Sequence, residues 1–141
     1  YPRGPFDKAG TKELAGLFKA AVGSSGADVI YDAIGGSYAE ASLRCIAWEG
    51  RFLVVGFPSG IPSIPLNLAL LKGCQIAGVF WGAFTEKQPD ANAANIRELY
   101  AFFSDNKIRP HVSARYPLSE ASQAIKDLSE RRAMGKIVVT I

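Results

Sequence analysis

The sequence has 141 residues, of which 48% are hydrophobic and 21% charged. These values are typical of a folded globular protein and exclude a disordered or collagen-like chain. The net charge is only +3 and the basic residues are dispersed, so we expect no nucleic-acid partner.

Two cysteines, Cys45 and Cys74, lie in apolar surroundings, and His111 is the only histidine. Because a structural zinc site needs about four converging Cys or His ligands, we expect no metal. The cysteine usage favours a reducing cytoplasm over a disulfide framework. The longest apolar stretch, residues 61–81, is broken by proline, lysine and polar residues, and no apolar segment follows the first five residues. We therefore expect neither a membrane span nor a secretory signal.

In chain order, residues 1–10 predict a loop, and Thr11 is expected to cap a helix. The apolar face of that helix carries Leu14, Leu17, Phe18 and Ala21. Residues 27–34 form a short apolar run without alternation, which is typical of a strand buried on both faces of a parallel sheet. Ser37 and Glu40 have the spacing of a capping box, which predicts the start of a second helix.

The second helix is expected to turn Leu43, Ile46 and Ala47 inward and to end at Gly50, before a strand at residues 51–56. Strand, helix and strand then follow one another within about 30 residues, which predicts a crossover between parallel strands. Residues 57–73 are rich in proline and predict a long irregular segment. Residues 74–81 read as a further buried strand.

A polar loop with Pro89 and Asp90 is expected next. The following helix places Ile96, Leu99, Tyr100 and Phe103 on one face and stops at residues 104–106. Residues 111–116 predict an edge strand. Leu118 opens a helix whose inner face carries Ala121, Ala124, Ile125 and Leu128, and residues 136–141 predict a terminal strand. The predicted fold is α/β, with a partial parallel sheet, flanking helices and a C-terminal strand-helix-strand segment.

Ligands of open parallel sheets bind beyond the carboxyl ends of the strands. Three glycine-bearing loops leave such ends, at residues 32–36, 56–60 and 80–82. Their amides could bond a sugar or a carboxamide, or the glycines could simply serve the turns. Asp32 suits either a catalytic acid or an acid that satisfies nearby amides, and His111 is expected to be structural or exposed. No G-x-G-x-x-G or P-loop run is present, so a pyrophosphate-binding loop is missing from this sequence.

The segments GADVIYDAIGG, GRFLVVGFPSG, LLKGCQIAGVFWG and RRAMGKIVVTI, in this order and spacing, resemble the zinc-independent quinone oxidoreductase group of the medium-chain dehydrogenase/reductases. The resemblance runs from about Ala27 to Ile141. It implies a partial Rossmann-type domain over residues 1–106 and, over residues 107–141, a segment that returns to a GroES-like catalytic domain. It also implies NADPH as cofactor, and a homodimer formed through the strand at residues 74–81 and the apolar loop at residues 61–71.

By position in the family's motifs, the resemblance implies that the first loop approaches the nicotinamide ribose. The second and third loops would then line the nicotinamide side of the cofactor site. Lys136, in the C-terminal segment, would also approach the cofactor. The implied cofactor-binding residues are Ala33, Ile34, Gly35, Gly56, Phe57, Pro58, Ser59, Phe80, Trp81, Gly82 and Lys136.

The implied activity is hydride transfer from NADPH to a quinone or an activated enone. The sequence identifies no catalytic residue, and it decides neither the electron acceptor nor NADPH over NADH. We expect the isolated chain to be inactive. Two alternatives stay open at this point. One is a class I methyltransferase fragment, since the segment Trp48-Glu-Gly-Arg51 resembles the Gly-Gly-Arg turn found in such enzymes. The other is a non-enzymatic dimerisation module.

Overall fold

The computed structural model describes Gly4 and residues 6–141. The chain divides into two compact units, one up to Ala83 and one from Phe84 to Ile141. The first unit holds α1 (Lys8–Val22), β1 (Ala27–Asp32), α2 (Ser37–Leu43), β2 (Ile46–Val54), α3 (Asn67–Lys72) and β3 (Gln75–Gly78). The unit boundary falls within α4 (Trp81–Lys87). The second unit continues with α5 (Pro89–Ser104), β4 (Val112–Pro117), a 3₁₀ turn (Leu118–Glu120), α6 (Ala121–Ser129) and β5 (Lys136–Thr140).

The first unit is built on a sheet in the order β1-β2-β3, with both strand pairs parallel. Asp32 pairs in register with Val54, and Val54 pairs with Gly78, so the three strands end side by side. This arrangement confirms the predicted crossovers. It also confirms that the three glycine-bearing loops start from one edge of one sheet.

One face of the sheet forms the core, and the other is open. Ala39 and Leu43 of α2 pack with Ile46 and Phe52 of β2, and all four side chains are almost fully buried. Helix α1 packs on α2 around Leu14 and forms a second apolar cluster. The prediction that β1 is buried on both faces was wrong, because its alternate side chains, such as Tyr31 (68% exposed), point to the face away from the core.

The first helix begins earlier than predicted and uses a different cap. Asp7 is the N-cap residue, and its Oδ1 accepts a 2.8 Å hydrogen bond from the backbone N–H of Gly10. Thr11, the predicted cap, is buried inside the helix. The buried face includes Leu14, whereas Leu17 is 41% exposed. The predicted loop over residues 1–10 falls partly on residues 1–3 and 5, which lie outside the described residues, and the chain is already helical from Lys8.

The second helix starts at the predicted residue but lacks the predicted capping box. Gly36 is the N-cap, and it makes no side-chain cap hydrogen bond. The helix ends at Leu43, so Ile46 and Ala47 belong to β2 and not to the helix, although both are buried as expected. Ala27 pairs with Ile46 but Val29 pairs with Arg51, so β2 carries an irregular insertion. Apolar spacing alone did not separate a helix end from a strand start, because short apolar runs fit both periods.

Three further boundaries differ from the prediction. The segment at residues 57–73 contains the short helix α3, and β3 ends at Gly78 instead of Trp81. Trp81 opens α4, so the predicted polar loop is helical apart from Gln88. Pro89 occupies the first turn of α5, where proline is tolerated because its missing N–H would have no helical partner.

The second unit confirms the C-terminal strand-helix-strand segment. β4 and β5 pair in parallel, and α6 lies between them in sequence. The predicted inner face of α6 is only partly correct. Ala124 is buried, but Ile125 and Leu128 are 68% and 61% exposed. The four predicted face residues of α5 are also exposed in this structure.

Candidate functional site

The loop after β1 and the loop after β2 are joined directly at the sheet edge. The N–H of Ser59 donates a 3.0 Å hydrogen bond to the carbonyl oxygen of Ile34, and the N–H of Gly36 donates a 2.7 Å hydrogen bond to the carbonyl oxygen of Gly60. The structure therefore brings the first two groups of predicted site residues together as one surface.

Asp32, at the end of β1, holds the first loop in place. Its Oδ1 accepts hydrogen bonds from the backbone N–H groups of Ile34 (3.0 Å) and Gly35 (2.9 Å). The side chain is buried, and its Oδ2 has no hydrogen-bond partner among the described residues. The structure therefore supports the interpretation of Asp32 as an acid that satisfies nearby amides.

The glycines of these loops are required chiefly by the contact between the loops. Gly35 and Gly36 have φ values of +70° and +57°, which side chains rarely adopt. A Cβ on Gly36 would lie 2.6 Å from the carbonyl oxygen of Ser59, and a Cβ on Gly35 would lie 2.7 Å from that of Gly60. Gly56 differs, because a Cβ there would come no closer than 3.7 Å to any atom.

Most backbone N–H groups of the joined loops are bonded within the protein, so the loops offer a ligand mainly acceptors. The amides of Ile34, Gly35, Gly36 and Ser59 are already bonded inside the protein, so they do not serve a ligand as the sequence suggested. The carbonyl oxygens of Ala33 and Gly56 receive no hydrogen bond within the described chain. Free carbonyls suit a ligand that donates, such as a ribose hydroxyl or the amino group of a carboxamide.

Exposed apolar side chains flank these acceptors. Ile34 is 48% exposed and Phe57 43% exposed, while the third loop presents Phe80 at 79% and Trp81 at 67%. Since β3 ends beside β2, residues 79–80 leave the same end of the sheet. Trp81 and Gly82, predicted to lie in a loop, begin α4. Apolar side chains around a few polar atoms are the usual lining of a small-molecule site.

Lys136 is the one predicted site residue in the second unit. It opens β5, and its N–H donates a 2.8 Å hydrogen bond to the carbonyl oxygen of His111. His111 is exposed, as expected. The part that Lys136 plays in the site stays a prediction.

A polar cluster that the sequence analysis missed also lies in the second unit. Asp127 accepts hydrogen bonds from the Tyr116 hydroxyl and the Arg132 guanidinium, and a 2.7 Å bond from Gln123. The hydrogen bonds from Tyr116 and Arg132 lower the pKa of Asp127 to about 2. The hydrogen bond between Tyr116 and Asp127 also raises the pKa of Tyr116. Gln123 and Arg132, four residues before and five after Asp127, were local signals, whereas Tyr116 approaches from β4.

Comparison with known families identifies the chain. The family model described as zinc-binding dehydrogenase matches residues 6–139. The chain belongs to the zinc-binding dehydrogenase family. The match confirms the resemblance to medium-chain dehydrogenase/reductases, and the parallel sheet confirms the Rossmann-type fold class.

Individual relatives in this family are longer than the chain. The chain is 36% identical over 116 residues to a quinone oxidoreductase-like protein 2 homolog from Nematostella vectensis, and the match covers 81% of this chain and 32% of that protein. A probable oxidoreductase from Mycobacterium abscessus is 28% identical, with a TM-score of 0.71 over 97% of this chain and 39% of that one. A mycobacterial protein solved in complex with NADPH is 25% identical, with a TM-score of 0.74 over 97% of this chain and 41% of that one. The chain thus spans well under half the length of each.

The described residues of the chain do not fit the metal in the family's name. Within Gly4 and residues 6–141, no three or more His, Cys, Asp or Glu residues come together in a way that could hold a metal ion. Cys45 and Cys74 are free thiols. Across the same residues, no helix is both long and apolar enough to cross a membrane.

Proposed function

We propose that the intact protein containing this chain transfers a hydride from NADPH to a quinone or an activated enone. The observation that carries the proposal is the joined loop surface at the carboxyl edge of the parallel sheet, where ligands of such sheets bind. The family match and the NADPH bound to one mycobacterial relative support the choice of cofactor. The nicotinamide supplies the hydride, and the protein orients it and keeps water away.

The exposed acceptors and apolar side chains suit the nicotinamide end of the cofactor. The carbonyls of Ala33 and Gly56 would accept hydrogen bonds from the ribose hydroxyls or the carboxamide, and Phe57 would cover one side of the ring. The proposed cofactor-binding set is Ala33, Ile34, Gly35, Gly56, Phe57, Pro58, Ser59, Phe80, Trp81, Gly82 and Lys136. Gly35 takes part through the loop shape it permits, because its own amide is bonded to Asp32.

The remaining expectations from the resemblance belong to the same proposal. Residues 1–106 would form part of the nucleotide-binding domain, and residues 107–141 would return to a catalytic domain. The two free cysteines favour a reducing cytoplasm. A homodimer would form through the edge strand β3 and the apolar segment before it, where Ile61 and Leu70 are 84% and 81% exposed. An open apolar edge strand favours such pairing.

Of the two alternatives, the methyltransferase fragment is wrong, because the chain belongs to the zinc-binding dehydrogenase family. The dimerisation module stays a second candidate. The exposed apolar surface around β3 favours it, and it predicts self-association without any cofactor binding.

The experiment uses the full-length protein and follows NADPH oxidation with a quinone and, separately, with an enone as acceptor. Phe57→Ala should raise the KM for NADPH about tenfold, because it removes an apolar side chain from the proposed nicotinamide contact. Leu17→Ala on α1 is the matched control, since it truncates an exposed apolar residue in another part of the same unit. Absence of NADPH oxidation with either acceptor would refute the proposal.

A further inference from the structure

A pocket lies at the end of the sheet where the strands begin, opposite the joined loops. Its volume is about 500 Å³, and the turn before β1, Cys45 before β2 and Lys72 before β3 all line it. Lys19 from the last turn of α1 completes one wall. This pocket shares no residue with the loops of the proposed cofactor site.

The lining of this pocket is positively charged. Lys19, Lys72 and Arg44 contribute to it, and no acidic residue does. Arg44 is paired with Glu40 at 2.6 Å, but neither lysine forms an ion pair in the described part of the chain. A helix C-terminus carries about half a negative charge. The C-terminal ends of α1, α2 and the short α3 all lie at this pocket and together offset part, but not all, of the two lysine charges.

The charges of Lys19 and Lys72 also act on the pKa of the buried Cys45 thiol. Burial raises its pKa, whereas the backbone hydrogen bond and the nearby charges of Lys19 and Lys72 lower it. Lys19, Lys72 and Cys45 all line this pocket. Cys45 also gives the pocket a chemical reporter.

The turn before β1 adds hydrogen-bond donors to the charge. The N–H of Gly26 bonds the carbonyl oxygen of Gly23 at 3.4 Å, which closes the turn. Ser24 and Ser25 lie between these glycines and line the pocket. Their N–H groups and hydroxyls have no hydrogen-bond partner in the part of the chain that the structure describes. Two cationic side chains and a turn with free donors together match a tetrahedral oxyanion.

We propose that Lys19, Lys72 and the turn at residues 23–26 form a binding site for a phosphate group, either inorganic phosphate or a small phosphate monoester. The ligand would rest on the Ser24 and Ser25 donors with one ammonium on each side. The site is separate from the proposed cofactor site, so binding should not require NADPH. Its affinity is modest, because partly exposed charge pairs contribute little in water.

The test is a titration of the chain with inorganic phosphate at constant ionic strength, followed by the amide NMR signals of Ser24, Ser25 and Gly26. Phenyl phosphate serves as the monoester probe in a parallel titration, and sodium chloride as the ionic control. Saturable shifts confined to this turn are expected. Lys19→Gln and Lys72→Gln should each weaken binding about fivefold, or about 1 kcal/mol. Lys12→Gln, on the same helix but outside the pocket, should change it less than twofold.

A second readout uses Cys45. Phosphate between the two lysines removes their positive field, which raises the thiol pKa and slows alkylation at a fixed pH. Alkylation of Cys74, outside the pocket lining, should not change. Tighter binding of phenyl phosphate than of inorganic phosphate assigns the site to monoesters, and the reverse assigns it to free phosphate. Shifts that do not saturate, or that are equal in the Gln variants and the parent chain, overturn the proposal, provided that the variants keep the parent's thermal transition.

Discussion

The N–H of Ser59 donates a 3.0 Å hydrogen bond to the carbonyl oxygen of Ile34, which joins the ends of two neighbouring strands. The two residues are 25 positions apart in the sequence. Their bond converts two separate turns into one surface, so the shape of the proposed nicotinamide contact depends on both. A substitution that separates the two loops should therefore lower the free energy of unfolding as well as weaken ligand binding.

Gly36→Ala should strongly destabilise the first unit. The new Cβ would lie 2.6 Å from the Ser59 carbonyl oxygen, at a positive φ that alanine rarely adopts. We expect a loss of at least about 2 kcal/mol in the free energy of unfolding, measured by urea denaturation with tryptophan fluorescence. Gly56→Ala is the control and should stay within about 0.5 kcal/mol, since its Cβ has room. Equal losses in both variants would contradict the loop-contact explanation.

Asp32→Ala should also destabilise this edge of the sheet, because the N–H groups of Ile34 and Gly35 lose their acceptor. The expected cost is about 1–3 kcal/mol. Asp32→Asn keeps the Oδ1 acceptor and should lose less. Chemical denaturation of the three proteins side by side measures the difference. The account of Asp32 fails if Asn is as damaging as Ala.

The Asp127 carboxyl should titrate at about pH 2 in the folded chain. Its pKa is lowered, so its ionised form stabilises the second unit above its usual pKa of 3.8, and that contribution is lost as the pH falls towards 2. Tyr116→Phe removes the largest cause and should move the pKa back towards 3.8. Carbon NMR of the side-chain carboxyl follows the titration. Tyr100→Phe on α5 is the control, and an unchanged midpoint in Tyr116→Phe would contradict the assignment.

The isolated chain should bind NADPH weakly or not at all. Its sequence contains no G-x-G-x-x-G run for the pyrophosphate, and most amides of its joined loops are bonded internally. Fluorescence titration against the full-length protein measures this difference. Tight binding by the chain alone, at low-micromolar concentration or below, would show that the phosphate-binding loop is dispensable.

Leu70→Lys should reduce self-association of the chain. Leu70 is 81% exposed in α3, which precedes the edge strand β3 in the sequence, and a lysine there would place a charge in the proposed dimer contact. Sedimentation velocity should show a shift from dimer to monomer. Leu17→Lys, which adds the same charge on α1, should leave the distribution unchanged. A parent chain that is monomeric at all concentrations would end the dimer proposal.

The sequence predicted the elements that depend on short-range pattern. Strong apolar periodicity located α1 and α5, and the Gly-Gly pair at 35–36 marked the end of β1. The errors fell where two patterns overlap. Ile46 fits both a helix face and a strand. Thr11 and Ser37 are residue types that often cap helices, but Asp7 and Gly36 are the N-cap residues here.

For the candidate site, the sequence located the loops but not their hydrogen bonding. It suggested free amides, whereas the structure shows those amides bonded to Asp32, Gly60 and Ile34. The pairings with Gly60 and Ile34 join residues 24 and 25 positions apart, and no local spacing encodes them. The bonds to Asp32 are local, over two and three positions. The Tyr116–Asp127 contact was missed for the same reason.

The sequence by itself predicted that three apolar segments lie parallel, because the connections between them are long enough for the crossovers that parallel strands need. It also determined the family, through four segments in fixed order. Only the tertiary structure decided which sheet face is covered, why Gly35 and Gly36 must be glycine, and how Lys19 and Lys72 come to share a pocket. These features depend on distances between segments that the chain brings together only when it folds.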